Sequence, residues 1–382
     1  MRDVETQTLE WTGERAFILQ DGSGAQAWVV PAIGANCIAF QTPVRDQVAH
    51  ILSTPASASV LRERPTFWGL PILAPYPGRH RTPFSWRGRQ YAIEANDRPG
   101  VAIHGFVAGA PWEVIDSGPS RLICRFDSET VPDRAERWPW PFVLTATYSL
   151  ERGALFLELE LHNRADEEIP HLLGLHPYFP LRLTPARPLS APLPTAADLV
   201  GDGAAAARET CLVWVAADEL WEMKAGLGTG RIERLRGAWD LRLPKPVAEL
   251  ERTLGVPPGP GPFGDDAAVA GPRLPVLLYG KRAALRSVDA GTNPAEAGGV
   301  ASGIQDAASG IEVKLDASAA FGCLALFCPP RQPFISLEPR SAVSDALTLM
   351  HDPRRLSTGV WPLAPGARWQ AWVRLSAWPL RT

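Results

Sequence analysis

Residues 142–161 have the sequence FVLTATYSLERGALFLELEL. Apolar and polar residues alternate in two runs, and every second residue of 155–161 is leucine. Side chains of an extended chain alternate between its two faces, so this spacing predicts two strands that each bury one face. Residues 151–154 include a glycine and can form the turn of a hairpin between the two strands.

The same pattern of short strands and turns continues on both sides of this hairpin. Apolar runs rich in β-branched and aromatic residues occur at 26–31 and 37–40, and residues 369–375 alternate again. Helical periodicity is confined mainly to 247–254. The 14 tryptophans, 38 prolines and 33 glycines favour strands and turns over packed helices. We therefore predict an all-β protein built as a large antiparallel β-sandwich.

The length of 382 residues allows one large domain or two, because large all-β folds can exceed the usual domain size. One break in composition lies at about 254–309, which is dense in glycine, proline and alanine. Such a segment buries little apolar area per ordered residue. We predict a single domain over 1–382, with 254–309 as a partly flexible insertion rather than a second domain.

The charge balance and the apolar runs restrict the partners. The formal net charge is −3, and no basic stripe is interleaved with aromatic residues, so nucleic acid is not an expected partner. No apolar run approaches the ~18 residues that cross a bilayer, and the first residues lack the features of a signal peptide. We expect a cytoplasmic protein, monomeric or homodimeric, that does not bind membranes.

The cysteines give no sign of a metal or redox site. There are five, an odd number, and none forms a CxxC pair. Cys323 and Cys328 lie in an apolar segment, where free cysteine usually behaves as a small buried hydrophobe.

Three stretches contain residues that could carry chemistry, and the first is 174–181, with the sequence GLHPYFPL. His176 precedes a proline, which excludes the helical region and holds the histidine on an extended backbone. An imidazole titrates near neutral pH and can act as a general acid or base, while Tyr178 could wall one side of a pocket. The alternative is a buried structural histidine near the end of a strand.

The second stretch comprises 69–79, 86–91 and 103–107. A proline-rich loop ends in Arg79, whose guanidinium offers a fixed fork of donors that suits a polyhydroxylated ligand. The alternative for Arg79 is a solvated surface residue after a turn. His104 lies between an apolar run and a glycine, so it too could be a buried, satisfied histidine.

The third stretch is 333–341, with the sequence PFISLEPRS. We predict a strand over 334–337 that ends at Glu338, before a proline. A carboxylate there must face a cleft or be hydrogen-bonded, because burying an unpaired charge costs several kcal/mol. Burial would also favour a general base by raising its pKa toward neutrality. The alternative is a salt bridge with Arg340 or Arg331.

Taken together, the three stretches resemble the aldose 1-epimerases, also called galactose mutarotases. The resemblance rests on motifs that occur in the family's order from about residue 25 onward. They are PYPGR at 75–79, WRGRQY at 86–91, IHGF at 103–106, GLHPYF at 174–179, GTGRI at 228–232, DLR at 240–242, EP at 338–339 and LAPG at 363–366.

The resemblance implies a galactose mutarotase-like supersandwich that needs no metal or organic cofactor. It implies that Glu338 acts as the base and His176 as the acid at the ring oxygen of an aldohexose. His104 and Arg79 would bind sugar hydroxyls, and His104 could also share charge with the ring oxygen. Trp86 or Tyr178 would stack on a sugar face.

One family element has no match. The family carries a sugar-binding aspartate about three residues before an aromatic, and the corresponding residues here, 274–279, contain no acid. The preference between galactose and glucose is therefore open.

Three other functions can be weighed against this one. They are a non-catalytic carbohydrate-binding protein on the same fold, a hexose-6-phosphate 1-epimerase and a metal site. A non-catalytic protein would not need both His176 and Glu338. A phosphate would need extra cations, for which Arg81, Arg87 and Arg89 are candidates. A metal site formed by His104, His176 and Glu338 is disfavoured, because the close ligand pairs of metal motifs are absent.

Overall fold

The computed structural model describes residues 6–185, 193–253, 276–280 and 299–381. These residues form 28 strands and a few short helices. The strand pairings within the sheets are antiparallel. The predicted all-β class and antiparallel architecture are confirmed.

The first fourteen strands are β1 (Gln7–Trp11), β2 (Glu14–Gln20), β3 (Gln26–Val30), β4 (Asn36–Val44), β5 (Gln47–His50), β6 (Ile72–Leu73), β7 (Arg79–Arg81), β8 (Phe84–Trp86), β9 (Arg89–Tyr91), β10 (Val101–Ile103), β11 (Glu113–Gly118), β12 (Arg121–Asp127), β13 (Phe142–Glu151) and β14 (Ala154–Asn163).

The remaining strands are β15 (Ile169–His171), β16 (Gly174–Leu175), β17 (Tyr178–Pro180), β18 (Cys211–Ala216), β19 (Glu219–Lys224), β20 (Leu227–Arg234), β21 (Lys245–Pro246), β22 (Val276–Gly280), β23 (Ala301–Asp306), β24 (Ile311–Ala317), β25 (Cys323–Phe327), β26 (Phe334–Arg340), β27 (Trp361–Leu363) and β28 (Arg368–Pro379).

The helices lie in the connections between strands. They are α1 (Ala58–Glu63), α2 (Arg134–Arg137), α3 (Ala196–Val200), α4 (Ala204–Thr210), α5 (Val247–Thr253) and α6 (Ala346–Leu349), with 3₁₀ turns at Val107–Gly109, Ser128–Thr130, Gly201–Gly203 and Gly237–Trp239. No helix of the described ranges has the length and apolar character needed to cross a membrane.

Two large sheets pack against each other. One has nine strands in the order β11-β12-β13-β14-β28-β24-β23-β18-β21. The other has eight, in the order β20-β19-β22-β25-β26-β16-β6, with β17 also paired to β26. Leucines of β14 and β26, such as Leu157 and Leu337, belong to one hydrophobic core cluster between the sheets. The N-terminal strands β1 to β5 form a separate five-stranded sheet.

The two large sheets differ in how their faces are covered. Residues of β14 alternate between buried and partly exposed, so one face of the nine-stranded sheet packs on the core and the other meets solvent. In contrast, β25 and β26 are buried along their whole length. The eight-stranded sheet is therefore covered on both faces at these strands, and the candidate site lies on the face away from the core.

The predicted hairpin at 142–161 is confirmed. Strands β13 and β14 pair from Phe142 with Asn163 to Glu151 with Ala154, leaving a two-residue turn. The helix predicted at 247–254 is observed as α5.

The predicted insertion at 254–309 lies mostly outside the described residues. Its described parts add strand β22 to the eight-stranded sheet and strand β23 to the nine-stranded sheet. Its flexibility and the single-domain assignment remain predictions.

Candidate active site

A cavity of about 580 Å³ opens beside strand β26, on the face of the eight-stranded sheet that points away from the core. That volume is within the range of small-molecule sites. Five of the six site residues predicted from the sequence line it, namely Arg79, His104, His176, Tyr178 and Glu338.

Strand β26 brings the polar residues of the site to one face. Its sequence is FISLEPR, and side chains at every second position share a face, so Ser336, Glu338 and Arg340 lie together. Ile335 and Leu337 belong to the hydrophobic core cluster. The prediction that the strand ends at Glu338 was wrong. A proline holds the preceding residue extended, which is compatible with a strand, and the pairing of β26 with β25 continues through Pro339 to Arg340.

The two carboxylate oxygens of Glu338 contact different residues. Glu338 is only 1% exposed. The guanidinium of Arg340 donates from Nε to Oε2 over 3.2 Å and also from Nη2 to the same oxygen. The salt bridge with Arg340 that the sequence left as the alternative is therefore present, but it uses Oε2. The other oxygen, Oε1, lies 3.2 Å from Nε2 of His176.

The hydroxyl of Ser336 fixes the tautomer of His176. This hydroxyl donates its single proton to the carbonyl oxygen of Pro177 over 2.7 Å. Its oxygen is also 2.8 Å from Nδ1 of His176, so it must accept the hydrogen bond there. The imidazole consequently carries a proton on Nδ1, and Nε2 is the nitrogen that faces Glu338.

The contact between Nε2 and Oε1 requires a proton, because two acceptors do not stay within hydrogen-bond distance. Burial lowers the pKa of His176 to about 4, while the negative charge of Glu338 opposes this effect. The imidazolium form therefore depends on its contact with the carboxylate. We infer that this proton lies between Nε2 of His176 and Oε1 of Glu338.

Tyr178 supports His176 rather than offering a free ring face. Its ring stacks on the imidazole with centroids 4.6 Å apart and planes at 6°. Its hydroxyl lies 3.4 Å from Nε2 of His176. Tyr178 lines the cavity, but its stacked partner is the histidine.

His104 is oriented by its backbone and by one hydrogen bond. It has a φ of 60°, in the left-handed region, and it precedes Gly105. A side chain at Gly105 would come within 2.0 Å of the carbonyl oxygen of Ala74, so only glycine fits there. The backbone N–H of Gly78 donates to Nδ1 of His104 over 3.1 Å. Burial lowers the pKa of His104 well below its usual value. The neutral ring therefore carries its proton on Nε2 and can donate it to a ligand.

Arg79 is held by an aspartate that the sequence analysis missed. Its Nε and Nη2 donate to Oδ2 and Oδ1 of Asp97, each over 3.1 Å. Arg98 donates from Nη1 to Oδ2 over 2.9 Å. The register of β7 and β10, which pairs Arg79 with Ile103, brings the loop containing Asp97 beside the arginine. Asp97 and Arg79 both line the cavity.

The structure does not bring Trp86 to the site. The residue is buried in β8, and its indole N–H donates to the carbonyl oxygen of Glu168 over 2.9 Å. The guanidinium of Arg87 covers its ring at 5.3 Å. Trp86 is not among the described residues that line the cavity, so its position gives no support to the predicted stacking on the sugar. Its position is explained by packing between a strand and a neighbouring loop.

The arginines proposed for phosphate binding are paired elsewhere. Arg81 pairs with Asp345, Arg87 with Glu168 and Arg89 with Glu167. None of the three arginines is among the cavity-lining residues of the described ranges.

One wall of the cavity is apolar. Phe67 and Phe327 line it together with Tyr178, and their rings pack edge to face or at a tilt. Met223 and Gly226, from the hairpin of β19 and β20, close the cavity at another side. Polar and aromatic surfaces thus meet in one space.

The residues that the sequence analysis did not assign to the site are Ser336, Arg340, Ser344, Asn96 and Asp97. The first two could have been found from the period of two around Glu338. Asp97 had a weaker signal, a turn sequence NDRPG at 96–100 just before the IHGF motif.

Comparison with known proteins supports the sequence resemblance. The model of the family described as Aldose 1-epimerase matches residues 15–189. The predicted resemblance to the aldose 1-epimerase family is confirmed. This match includes Arg79, His104, His176 and Tyr178, whereas Glu338 lies beyond it.

Solved structures share the fold over nearly the whole chain. A galactose mutarotase-like protein from Clostridium acetobutylicum has a TM-score of 0.71 at 18% identity, with 100% of each chain covered. An aldose epimerase homologue from C. elegans has a TM-score of 0.68 at 15% identity, covering 96% of this chain and 99% of the other. A putative aldose 1-epimerase from Escherichia coli K12 has a TM-score of 0.64 at 18% identity, with 96% and 99% covered. The galactose mutarotase-like β-sandwich is thereby established.

Proposed function

We propose that the protein is an aldose 1-epimerase that interconverts the α and β anomers of an aldohexose. The observation that carries this proposal is the contact of 3.2 Å between Nε2 of His176 and Oε1 of Glu338 at the wall of the cavity. The anomeric oxygen O1 and the ring oxygen O5 of a pyranose are bonded to the same carbon. A base for O1 and an acid for O5 must therefore be close neighbours, and each must lie within hydrogen-bond reach.

In the proposed reaction, Glu338 takes the proton of the O1 hydroxyl while His176 gives its Nε2 proton to O5. The C1–O5 bond breaks and the C1–O1 double bond forms, which produces the open aldehyde. Rotation about C1–C2 presents the other face of the carbonyl group. O5 then attacks C1 and returns its proton to Nε2, while O1 recovers the proton from Glu338. The proton count of the protein is unchanged after one cycle.

The other polar residues of the cavity have supporting roles in this proposal. Arg340 holds Oε2, so Oε1 is the oxygen that accepts the proton. The Nε2–H of His104 donates to a sugar oxygen near the acid, since its ring centroid is 5.3 Å from that of His176. Arg79 donates to hydroxyls farther from the reacting carbon.

The test is the equilibration of freshly dissolved α-D-glucose and α-D-galactose, followed by polarimetry or NMR. We expect the wild-type chain to accelerate it, and Glu338→Gln and His176→Asn each to lose on the order of 10²–10⁴-fold in kcat/KM. Matched controls are Glu158→Gln and His162→Asn, the same chemical changes on the nine-stranded sheet. They should keep the wild-type rate.

Two results would contradict the proposal. One is the absence of acceleration with every aldose tested, and the other is wild-type activity in both active-site variants. If the wild type binds sugars by calorimetry without accelerating their equilibration, the non-catalytic alternative applies.

A further inference from the structure

Asp97 is the buried carboxylate of the cavity that the proposed reaction does not use. Its side chain is 3% exposed. The loop that carries it is fixed on both sides. The side chain of Asn96 exchanges two hydrogen bonds with the backbone of Ile103, and the N–H of Asp97 donates to the carbonyl oxygen of Val101. Asp97 is therefore held in a defined position at the cavity wall.

Among the described residues, the hydrogen bonds to Asp97 leave one acceptor position open. A carboxylate offers about four acceptor positions. Arg79 and Arg98 occupy two on Oδ2, and Arg79 occupies one on Oδ1. The remaining position on Oδ1 lies next to the guanidinium of Arg79. A donor and an acceptor side by side match two neighbouring hydroxyl groups of a sugar.

The carboxylates and arginines of the cavity are equal in number. Among the described residues, three carboxylates and three guanidinium groups line it, from Glu63, Asp97 and Glu338 and from Arg64, Arg79 and Arg340. Arg79 and Arg340 already bind carboxylates. His176 likewise faces Glu338. A phosphate or carboxylate on the substrate would therefore meet Arg79, Arg340 and His176 already paired with carboxylates.

From these observations, and resting on the proposed function, we infer that Asp97 is a specificity-determining residue. It accepts a hydrogen bond from a hydroxyl of a neutral aldose, and Arg79 donates to the adjacent oxygen. The site discriminates against phosphorylated and carboxylated sugars. The carboxylate that binds the sugar hydroxyl thus comes from the loop before β10. Residues 274–279, which correspond to the family's aspartate element, contain no acid.

The test compares the wild type and Asp97→Asn on D-glucose and on its 2-deoxy, 3-deoxy, 4-deoxy and 6-deoxy analogues. For the analogue that lacks the bound hydroxyl, wild-type kcat/KM should fall on the order of 10–100-fold, the value of a hydrogen bond to a charged group. On glucose, kcat/KM of Asp97→Asn should be lower than that of the wild type by a similar factor. On that analogue, kcat/KM of the variant and of the wild type should differ little. Glucose 6-phosphate should react at least about 10-fold more slowly than glucose.

Two further variants separate specificity from folding. Asp97→Glu keeps the charge that pairs with both arginines but displaces the acceptor, so it should fold and lose the same discrimination. Arg98→Gln removes a partner of Asp97 that does not itself line the cavity, as far as the described residues show. The ratio of kcat/KM on glucose to kcat/KM on the sensitive analogue should be the same in Arg98→Gln as in the wild type.

The inference is overturned if, for every analogue, the fold-decrease in kcat/KM caused by Asp97→Asn is as large as it is on glucose, because the substitution and the missing hydroxyl would then act independently. It is also overturned if glucose 6-phosphate is preferred. If the wild type accelerates no sugar, the proposed function fails, and the inference is judged by ligand-observed NMR binding of the same sugars. If Asp97→Asn then binds glucose more weakly than the wild type does, but binds one deoxy analogue equally well, the role of Asp97 in sugar binding is supported without the proposed activity.

Discussion

Ser336 contributes to the site through a bond that does not involve the ligand. Its hydroxyl proton is used for the carbonyl oxygen of Pro177, and this leaves its oxygen as an acceptor for Nδ1 of His176. Without it, neutral His176 could carry its proton on Nε2 and could rotate. We therefore assign Ser336 as a positioning residue.

We expect Ser336→Ala to lower kcat on the order of 10–100-fold with little change in KM, because a hydrogen bond to a charged imidazolium is lost. Ser336→Thr keeps the hydroxyl and suits a strand, so it should restore most of the rate. ¹⁵N NMR of His176 should show Nδ1 protonated in the wild type and in Ser336→Thr. An unchanged tautomer in Ser336→Ala would contradict the assignment.

At the scale of residues, the sequence predicted that His176 and Glu338 belong to the site but not what surrounds them. His176 and Glu338 each precede a proline, a local signal that can be read without a fold. Asp97 has no such signal. Its contact with Arg79 depends on the pairing of β7 with β10, which only the folded chain defines.

Among the elements, the hairpin of β19 and β20 lies against the side chain of Arg79, which we propose binds the sugar. Gly226 lies in its turn with a φ of 75°. A methyl group there would lie 2.7 Å from Cδ and 2.8 Å from Nη1 of Arg79. Arg98 also donates to the carbonyl oxygen of Ala225 in the same turn. The turn therefore fits against a guanidinium that Asp97 prevents from moving away.

We expect Gly226→Ala to raise KM several-fold, because the methyl group displaces Arg79. The variant also pays a backbone cost of about 1–2 kcal/mol for a non-glycine residue in the left-handed region. Gly88→Ala is the matched control, since Gly88 has a φ of 77° and no atom within 4 Å of the added methyl group. It should show a similar loss of thermal stability with an unchanged KM. An equal KM in both variants would show that the hairpin does not support Arg79.

The strand pattern of β26 shows what could be predicted at this scale. The alternation of apolar and polar residues in FISLEPR indicates a strand with two different faces. The proline predicts the end of the strand, because proline usually interrupts a sheet. Strand β26 nevertheless continues through Pro339 to Arg340. Which residues cover the polar face was beyond prediction, since they come from distant parts of the chain.

For the whole molecule, buried histidines make stability depend on pH. Burial lowers the pKa of His50, His80 and His171 from 6.5 to about 4. Above pH 6.5 these residues are neutral in both the folded and the unfolded chain. Between pH 6.5 and about 4 the unfolded chain binds protons that the folded chain does not. The free energy of unfolding must therefore fall as the pH falls through this range.

The expected slope is up to about 1.4 kcal/mol per pH unit for each such histidine. Urea unfolding at several pH values between 7.5 and 4.5 measures it. His171→Phe removes one titrating group at a buried position beside Trp369, so the slope should decrease. Leu363→Ala, on the strand paired with that of His171, should lower stability at every pH without changing the slope. A slope that is the same in His171→Phe and the wild type would refute this account.

The sandwich as a whole followed from local patterns, whereas the order of its strands did not. Alternation identified β13, β14 and β28 as strands with one buried face. No local pattern states that β28 lies between β14 and β24. That order is determined by which buried faces complement each other across the core, and the sequence alone does not reveal it.

The central place of β28 also bears on biosynthesis. A ribosome produces β14 and β24 long before residues 368–379, the strand that joins them edge to edge. Until those residues leave the exit tunnel, each of the two earlier strands keeps an edge of unpaired backbone groups, which can pair with other chains. The nine-stranded sheet can therefore close only after residues 368–379 have been synthesised, and until then the exposed edges of β14 and β24 are open to pairing with other chains.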